Sequence, residues 1–258
     1  VSWSVSPSLP AGITINSSTG DISGTPTAIT SSAVYTITAT NSGGSDTTTI
    51  TIVVNDALPI ISYSQTSYTL TKDVAMTAST PTVNGGAVVT WSISPSLPTG
   101  LTFETSNGTI WGTPTAITSS ASYTVSATNT GGTDTVTLTI VVNDIAPSIA
   151  YGTTSFTLTK GTAMTTTSVT STGGTVVSYS VSPSLPAGLS LDTSTGTLSG
   201  TPTVVTSSAS YTITATNTGG TDTASVTIVV NDIAPSIDYS TTSFTLTKGT
   251  AMTTTSVT

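Results

Sequence analysis

The sequence predicts an all-β protein made of repeated two-sheet sandwiches, on three observations. Apolar and polar residues alternate with period two in stretches rich in β-branched side chains. In TASVTIVVND, Val226, Ile228 and Val230 alternate with Ser225, Thr227 and Val229, and in SYTITATN, Tyr211, Ile213 and Ala215 alternate with Thr212, Thr214 and Thr216. Gly-Gly, Asn-Gly and Pro punctuation recurs between these runs. The pattern also repeats every 88 residues: Trp3, Trp91 and Tyr179 keep that spacing, as do Pro7, Pro95 and Pro183, Lys72, Lys160 and Lys248, and Met76, Met164 and Met252. High Ser and Thr content alone would fit a disordered stalk, but such a stalk has no period-two alternation to bury.

Each period yields its elements in order. APSIAYGTTSFTLTKGTAM gives a first strand ending in a turn at Lys160-Gly161. TTTSVTS is a short second strand, reversed at Gly173-Gly174. VVSYSVSP is a third, with Val177, Tyr179 and Val181 expected on one face. Pro183 and Pro186 then force an irregular crossing, because Pro cannot donate to a ladder. LSLDTSTGTLSGTPT reads as a small hairpin turning over Asp192 to Gly196. SYTITATN and TASVTIVVN close the unit through Thr218-Gly219-Gly220. About seven short strands in this length point to tandem immunoglobulin-like β-sandwich domains, with Trp3, Trp91 and Tyr179 at the strand position where such sandwiches bury an aromatic.

Boundaries fall at the recurring VND. Residues 57–144 and 145–232 read as whole domains, 1–56 as a domain lacking its first two strands, and 233–258 as those two strands of a further domain. The expectation is that a neighbouring chain, or continuation of the array, completes the partial domains head to tail by strand complementation.

The hairpin and the strand after it carry a family resemblance. LPAGLSLDTSTGTLSGTPT followed by YTITATNTGG, with LPAGITINSSTGDISGTPT and LPTGLTFETSNGTIWGTPT as variants, resembles the He-PIG immunoglobulin-like repeats, which are of the cadherin-like kind. The resemblance implies tandem sandwiches in large bacterial or archaeal surface proteins and adhesins, extracellular or cell-surface in location. It brings no catalytic residues. One departure is Trp111, where the other copies have Ser23 and Ser199, and a Trp in that hairpin is expected at the surface.

Composition narrows the function. Three Lys and no Arg against eleven acids give a net charge of -8, so there is no basic patch for nucleic acid. No apolar run is long enough to insert in a membrane as a helix. With no His or Cys, and with the acids scattered one to a turn, general acid–base or nucleophilic catalysis has no candidate constellation. The junction residues Asn55, Asp56, Asn143, Asp144, Asn231 and Asp232 resemble calcium-stiffened linkers, while a turn-forming role needs no metal. Asp46, Asp134 and Asp222 recur after the Gly-Gly turn. The recurring lysines could form isopeptide bonds, but each sits beside Gly or Asp in a predicted turn, where an exposed lysine is the simpler reading. The Asn16 and Asn107 sequons do not recur in register. The reading that results is a structural rod, fibre or adhesin stalk, the alternative being an adhesin module that recognises a glycan or cell-surface ligand, for which outward rows such as Thr212, Thr214 and Thr216 offer hydroxyls.

Overall fold

A computed structural model describes residues 1–239 and 241–256. Among them every regular element is a strand, and the chain divides into two compact units, Val1–Asn143 and Asp144–Thr258.

The first unit opens with β1 (Ser2–Ser6), β2 (Ile13–Ile15), β3 (Ile22–Gly24), β4 (Thr30–Asn41) and β5 (Gly44–Val54). It continues with β6 (Pro59–Ser62), β7 (Ser67–Thr71), β8 (Met76–Ser79), β9 (Thr82–Gly85), β10 (Thr90–Ser94), β11 (Leu101–Phe103), β12 (Ile110–Gly112), β13 (Thr118–Asn129) and β14 (Gly132–Asn143). The stretch from β6 to β14 makes one sandwich. One face is the sheet β10-β13-β14-β7, and the other combines β6-β9 with β11-β12-β8. Between them lie Ile61, Tyr68, Trp91, Ile110, Tyr123, Val125, Leu138, Ile140 and Val142, a continuous apolar core. Alternation explains the selection: along β14 every second residue points inward, so Leu138, Ile140 and Val142 are buried while Thr137, Thr139 and Val141 are not.

The second unit repeats this with β15 (Pro147–Tyr151), β16 (Ser155–Thr159), β17 (Val169–Gly173), β18 (Ser178–Ser182), β19 (Leu189–Leu191), β20 (Leu198–Gly200), β21 (Thr206–Asn217) and β22 (Gly220–Asn231). Its core is Ile149, Tyr151, Tyr179, Leu198, Tyr211, Ile213, Val226, Ile228 and Val230, the same positions one period on. All pairings in both sandwiches are antiparallel except β7 with β14 and β16 with β22.

Those parallel pairings correct the expected single first strand. The chain leaves the sheet of β15 at Gly152-Thr153-Thr154 and joins the opposite sheet as β16, so the first segment contributes to both faces. In the earlier copy Ser64-Gln65-Thr66 makes the same crossing between β6 and β7. The second strand is also divided there, because Thr80-Pro81 separates β8 from β9 and Pro cannot continue the ladder. Tyr179 and Val181 point inward as expected, but Val177 precedes β18 and is 72% exposed, like Val1 and Val89.

Residues 1–56 form the three-stranded sheet β1-β4-β5 and the hairpin β2-β3. Tyr35 and Ile37 are buried, yet Ile22 is 39% exposed where its equivalents Ile110 and Leu198 are closed off entirely. Ile50, Ile52 and Val54 are likewise only partly buried, against complete burial of Val226, Ile228 and Val230. Downstream, the described residues of 233–256 carry no strand, and Ile237, Tyr239, Phe244 and Leu246 are exposed. Ile149 and Tyr151, their counterparts in the second unit, take their burial from β17, β22 and the turn at Gly196, all later in the chain. Part of the expectation for 233–258, at residues 240, 257 and 258, lies outside the described residues.

Candidate functional site at the module junctions

With few charges available, the fold uses its acids to hold backbone. In the β19–β20 turn, Asp192 accepts the N–H groups of Ser194 (2.8 Å) and Thr195 (2.9 Å), and these bonds hold its carboxyl below the usual range. Asp134 accepts the Ile61 N–H at 2.8 Å and Asp222 the Ile149 N–H at 2.7 Å. In the two whole sandwiches the carboxylate after the Gly-Gly turn therefore pins the first strand, 73 residues back, whereas Asp46 bonds only to the Thr47 N–H. Spacing alone could not show this.

The turn also seats on an aromatic ring. Gly108 has φ +75° and Gly196 φ +70°, and a Cβ on Gly108 would lie 2.7 Å from the Trp91 ring. Across from them Tyr63 donates its hydroxyl to the Gly108 carbonyl and Tyr151 to that of Gly196. Burial, with Tyr179 nearby as a smaller cause, pushes the Tyr151 hydroxyl up to about 12, and Tyr63 is raised further in the same way by burial and Tyr68.

At the first junction β5 ends at Val54 and only Asn55 intervenes before the next anchor. The Asp56 N–H donates to Thr130 Oγ1 at 3.0 Å, and Asp56 Oδ1 accepts the Ala57 N–H at 2.9 Å. Asn129 Nδ2 donates to the Ala57 carbonyl at 2.7 Å, while its Oδ1 accepts the N–H groups of Gly131 (2.8 Å) and Gly132 (3.2 Å). In the second unit the same set recurs. Asp144 N–H donates to Thr218 Oγ1 at 2.9 Å, Asp144 Oδ1 accepts Ile145 N–H at 2.9 Å, and Asn217 Nδ2 donates to the Ile145 carbonyl at 2.7 Å. Asp144 Oδ2 further accepts the Thr175 N–H at 3.0 Å, and the side chain is only 6% exposed. The Asn143 carbonyl belongs to the preceding sandwich, where it accepts the Lys72 N–H at 2.8 Å; Asn231 does the same for Lys160 at 2.9 Å. Asp232 is exposed and accepts only the Ile233 N–H at 2.9 Å.

Of the expected junction residues, Asp56 and Asp144 face forward into the turn of the following sandwich, Asp232 bonds only to the next residue, and Asn143 and Asn231 close the preceding ladder through their backbone. Asn129 and Asn217, together with Thr130 and Thr218, complete the arrangement and were not singled out from sequence, since Asn-Thr-Gly-Gly reads simply as a turn, which is all that Asn41 serves through the Gly43 N–H. A calcium shell wants six to eight oxygens. Each junction offers one carboxylate, both oxygens of Asp144 already accept N–H bonds, and among the described residues no three His, Cys, Asp or Glu side chains gather. The donor set works as a backbone clamp. Lys72 lies 3.7 Å from its neighbour Asp73, and Lys160 is exposed, as turn lysines are. Asn16 and Asn107 spend their side-chain oxygens within their own turns.

Sandwich, hairpin and junction together define a tandem array of immunoglobulin-like modules. A family model described as "Putative Ig domain" (He_PIG) matches residues 1–55, 57–143 and 146–231, and the chain belongs to that family. Among curated relatives it is similar to the "Serine-rich adhesin for platelets" of Staphylococcus aureus strain MRSA252, 35% identical over 134 residues, which is 50% of this chain and 10% of that protein. The same protein from strain USA300 is 36% identical over 134 residues, 6% of its length. The chain thus spans a tenth or less of these relatives. Solved structures resembling it include the I-band fragment I67–I69 of titin (TM-score 0.44, 15% identity, 90% of this chain and 87% of that one) and extracellular domains 3–5 of Drosophila OTK (TM-score 0.44, 16% identity, 86% and 78%). The relatives are adhesins, and the chain is an extracellular or cell-surface protein.

Proposed function

We propose that the chain is a non-catalytic structural length of a surface protein, a rod, fibre or adhesin stalk built by laying immunoglobulin-like modules end to end. The observation that carries this reading is the junction: the Asp–Thr–Asn set that docks each linker onto the turn of the next module is the same at Asp56 and Asp144. A linker with its backbone hydrogen-bonded on both sides has few free dihedrals, and the same bond set recurs one period on. In the same array, the open face of 1–56 takes a strand pair equivalent to 57–82, and 233–258 serves as such a pair for a following module, in the continuing chain or a neighbouring copy. The partly exposed Ile22, Ile50, Ile52 and Val54 support this, since these are the positions that a first strand pair covers in the two whole modules. Electron microscopy of the native protein tests the reading. Thin stalks or filaments beaded at one module length are expected, and compact particles without a repeat would refute it.

A further inference from the structure

Trp111 breaks the repeat at the surface. The core positions of the three copies agree in type, but on the outward face of the hairpin two copies carry Ser23 and Ser199 where this one has an indole, 47% exposed. Its neighbours along β12, Ile110 and Gly112, face inward, so Trp111 adds nothing to the core. An aromatic of this size, off the repeat and off the core, is free to meet a ligand outside the molecule.

The surroundings restrict what can sit there. Trp111 borders an open recess of about 550 Å³ whose other walls include Ala75, Met76, Ala78, Gly100 and Thr113. Apart from Met76 the walls carry small side chains, and the half-exposed indole stands beside them, which leaves room for a flat ring. Thr113 lines the recess, and Thr102, directly opposite Trp111 in the β11 ladder, is exposed, so threonine hydroxyls flank the indole. No charged residue lines the recess, and the nearest charges in sequence, Lys72 and Asp73, pair with each other, so nothing is placed to hold an anion or a cation. β12 itself is paired on both sides, by β11 and β8, so an extended peptide cannot add to the strand that carries the indole. One indole beside a partly buried Met76, glycine and alanine is also a small apolar surface against the area a stable protein interface buries.

We propose that this face is a saccharide-binding site, in which Trp111 stacks on the C–H face of a neutral hexose ring and threonine hydroxyls bond its rim. The aromatic face is electron-rich and meets the slightly positive C–H groups of the sugar, while the ring hydroxyls stay in contact with water or Thr oxygens. This adds a lateral recognition function to a structural module, and does not depend on how modules are joined.

The test uses the full 258-residue chain, ¹⁵N-labelled, titrated separately with maltohexaose, cellohexaose and chitohexaose. The Trp111 indole N–H signal is identified by its loss in Trp111→Ser, a variant that restores the residue of the other two copies and leaves the core untouched. A saturable shift of that signal with at least one sugar is expected, and binding of that sugar at least about tenfold weaker in Trp111→Ser. No shift with any of the three, or binding unchanged in Trp111→Ser, overturns the proposal. A concentration-dependent shift without sugar, abolished in the variant, also overturns it and assigns the face to self-association.

Discussion

Replacing Gly108 by Ala probes the contact that the repeat preserves most tightly, a glycine laid flat on an aromatic ring. Gly108 has φ +75°, and the added methyl would stand 2.7 Å from two Trp91 ring carbons and 3.0 Å from Pro81. The left-handed backbone costs about 1 kcal/mol for an L side chain. Forcing a methyl against a buried ring adds about 1–3 kcal/mol, because Trp91 is packed among Tyr63, Ile110 and Val125 and cannot swing aside cheaply. The sum is about 2–4 kcal/mol, a large share of the stability of a module this size. Urea unfolding followed by tryptophan fluorescence in a Trp3→Tyr background reads this module through Trp91 and Trp111, since 144–258 contains no Trp. With an m-value of about 1 kcal/mol/M, the midpoint should fall by about 2 M or more. A fall of less than about 0.5 M would refute the ring-seated turn.

Tyr151→Phe leaves the Gly196 carbonyl buried without its donor and should cost about 1–3 kcal/mol, read by calorimetry. With its hydroxyl raised from 10.0 to about 12 by burial, Tyr151 contributes stability that is complete below about pH 10 and is lost as pH rises through 12, so the second module should weaken in that window and the Phe variant should lose less there. Asp73 occupies φ +60° where the other copies have Gly161 and Gly249; Asp73→Gly should raise stability by about 0.5–1 kcal/mol, since the exposed pair with Lys72 that it gives up is worth little. Asn217→Ala removes the bonds to Ile145, Gly219 and Gly220 and should speed amide exchange at Gly219 and Gly220 at least tenfold, with calcium unable to restore protection. Restoration by calcium would show that the junction is a metal site after all.

Much of the architecture is written in the chain because its signals are local. Period-two alternation selects Leu138, Ile140 and Val142 for the core, and DTSTG in the β19–β20 turn specifies the hairpin through Asp192 and Gly196. The exposed Trp111 was legible from its departure from the repeat. What stayed hidden depends on partners far away in sequence. The crossing at Gly152-Thr153-Thr154 looks like a pause in one strand, because strand propensity says nothing about which sheet a segment joins. Asp134 and Asp222 read as turn residues, yet their carboxylates reach 73 residues back to Ile61 and Ile149. Asn129 and Asn217 show the same limit: half of each side chain serves its own turn, as composition suggests, and half holds the incoming linker.

Single-molecule pulling of the 258-residue chain tests the central claim most directly, since modules in series must yield one at a time. The two whole modules, 57–144 and 145–232, should give two unfolding events of equal length, each freeing 88 residues, about 300 Å of chain at about 3.4 Å apiece less the span of the folded module. One event spanning both, or two of clearly unequal length, would contradict an array of equivalent, independently closed modules.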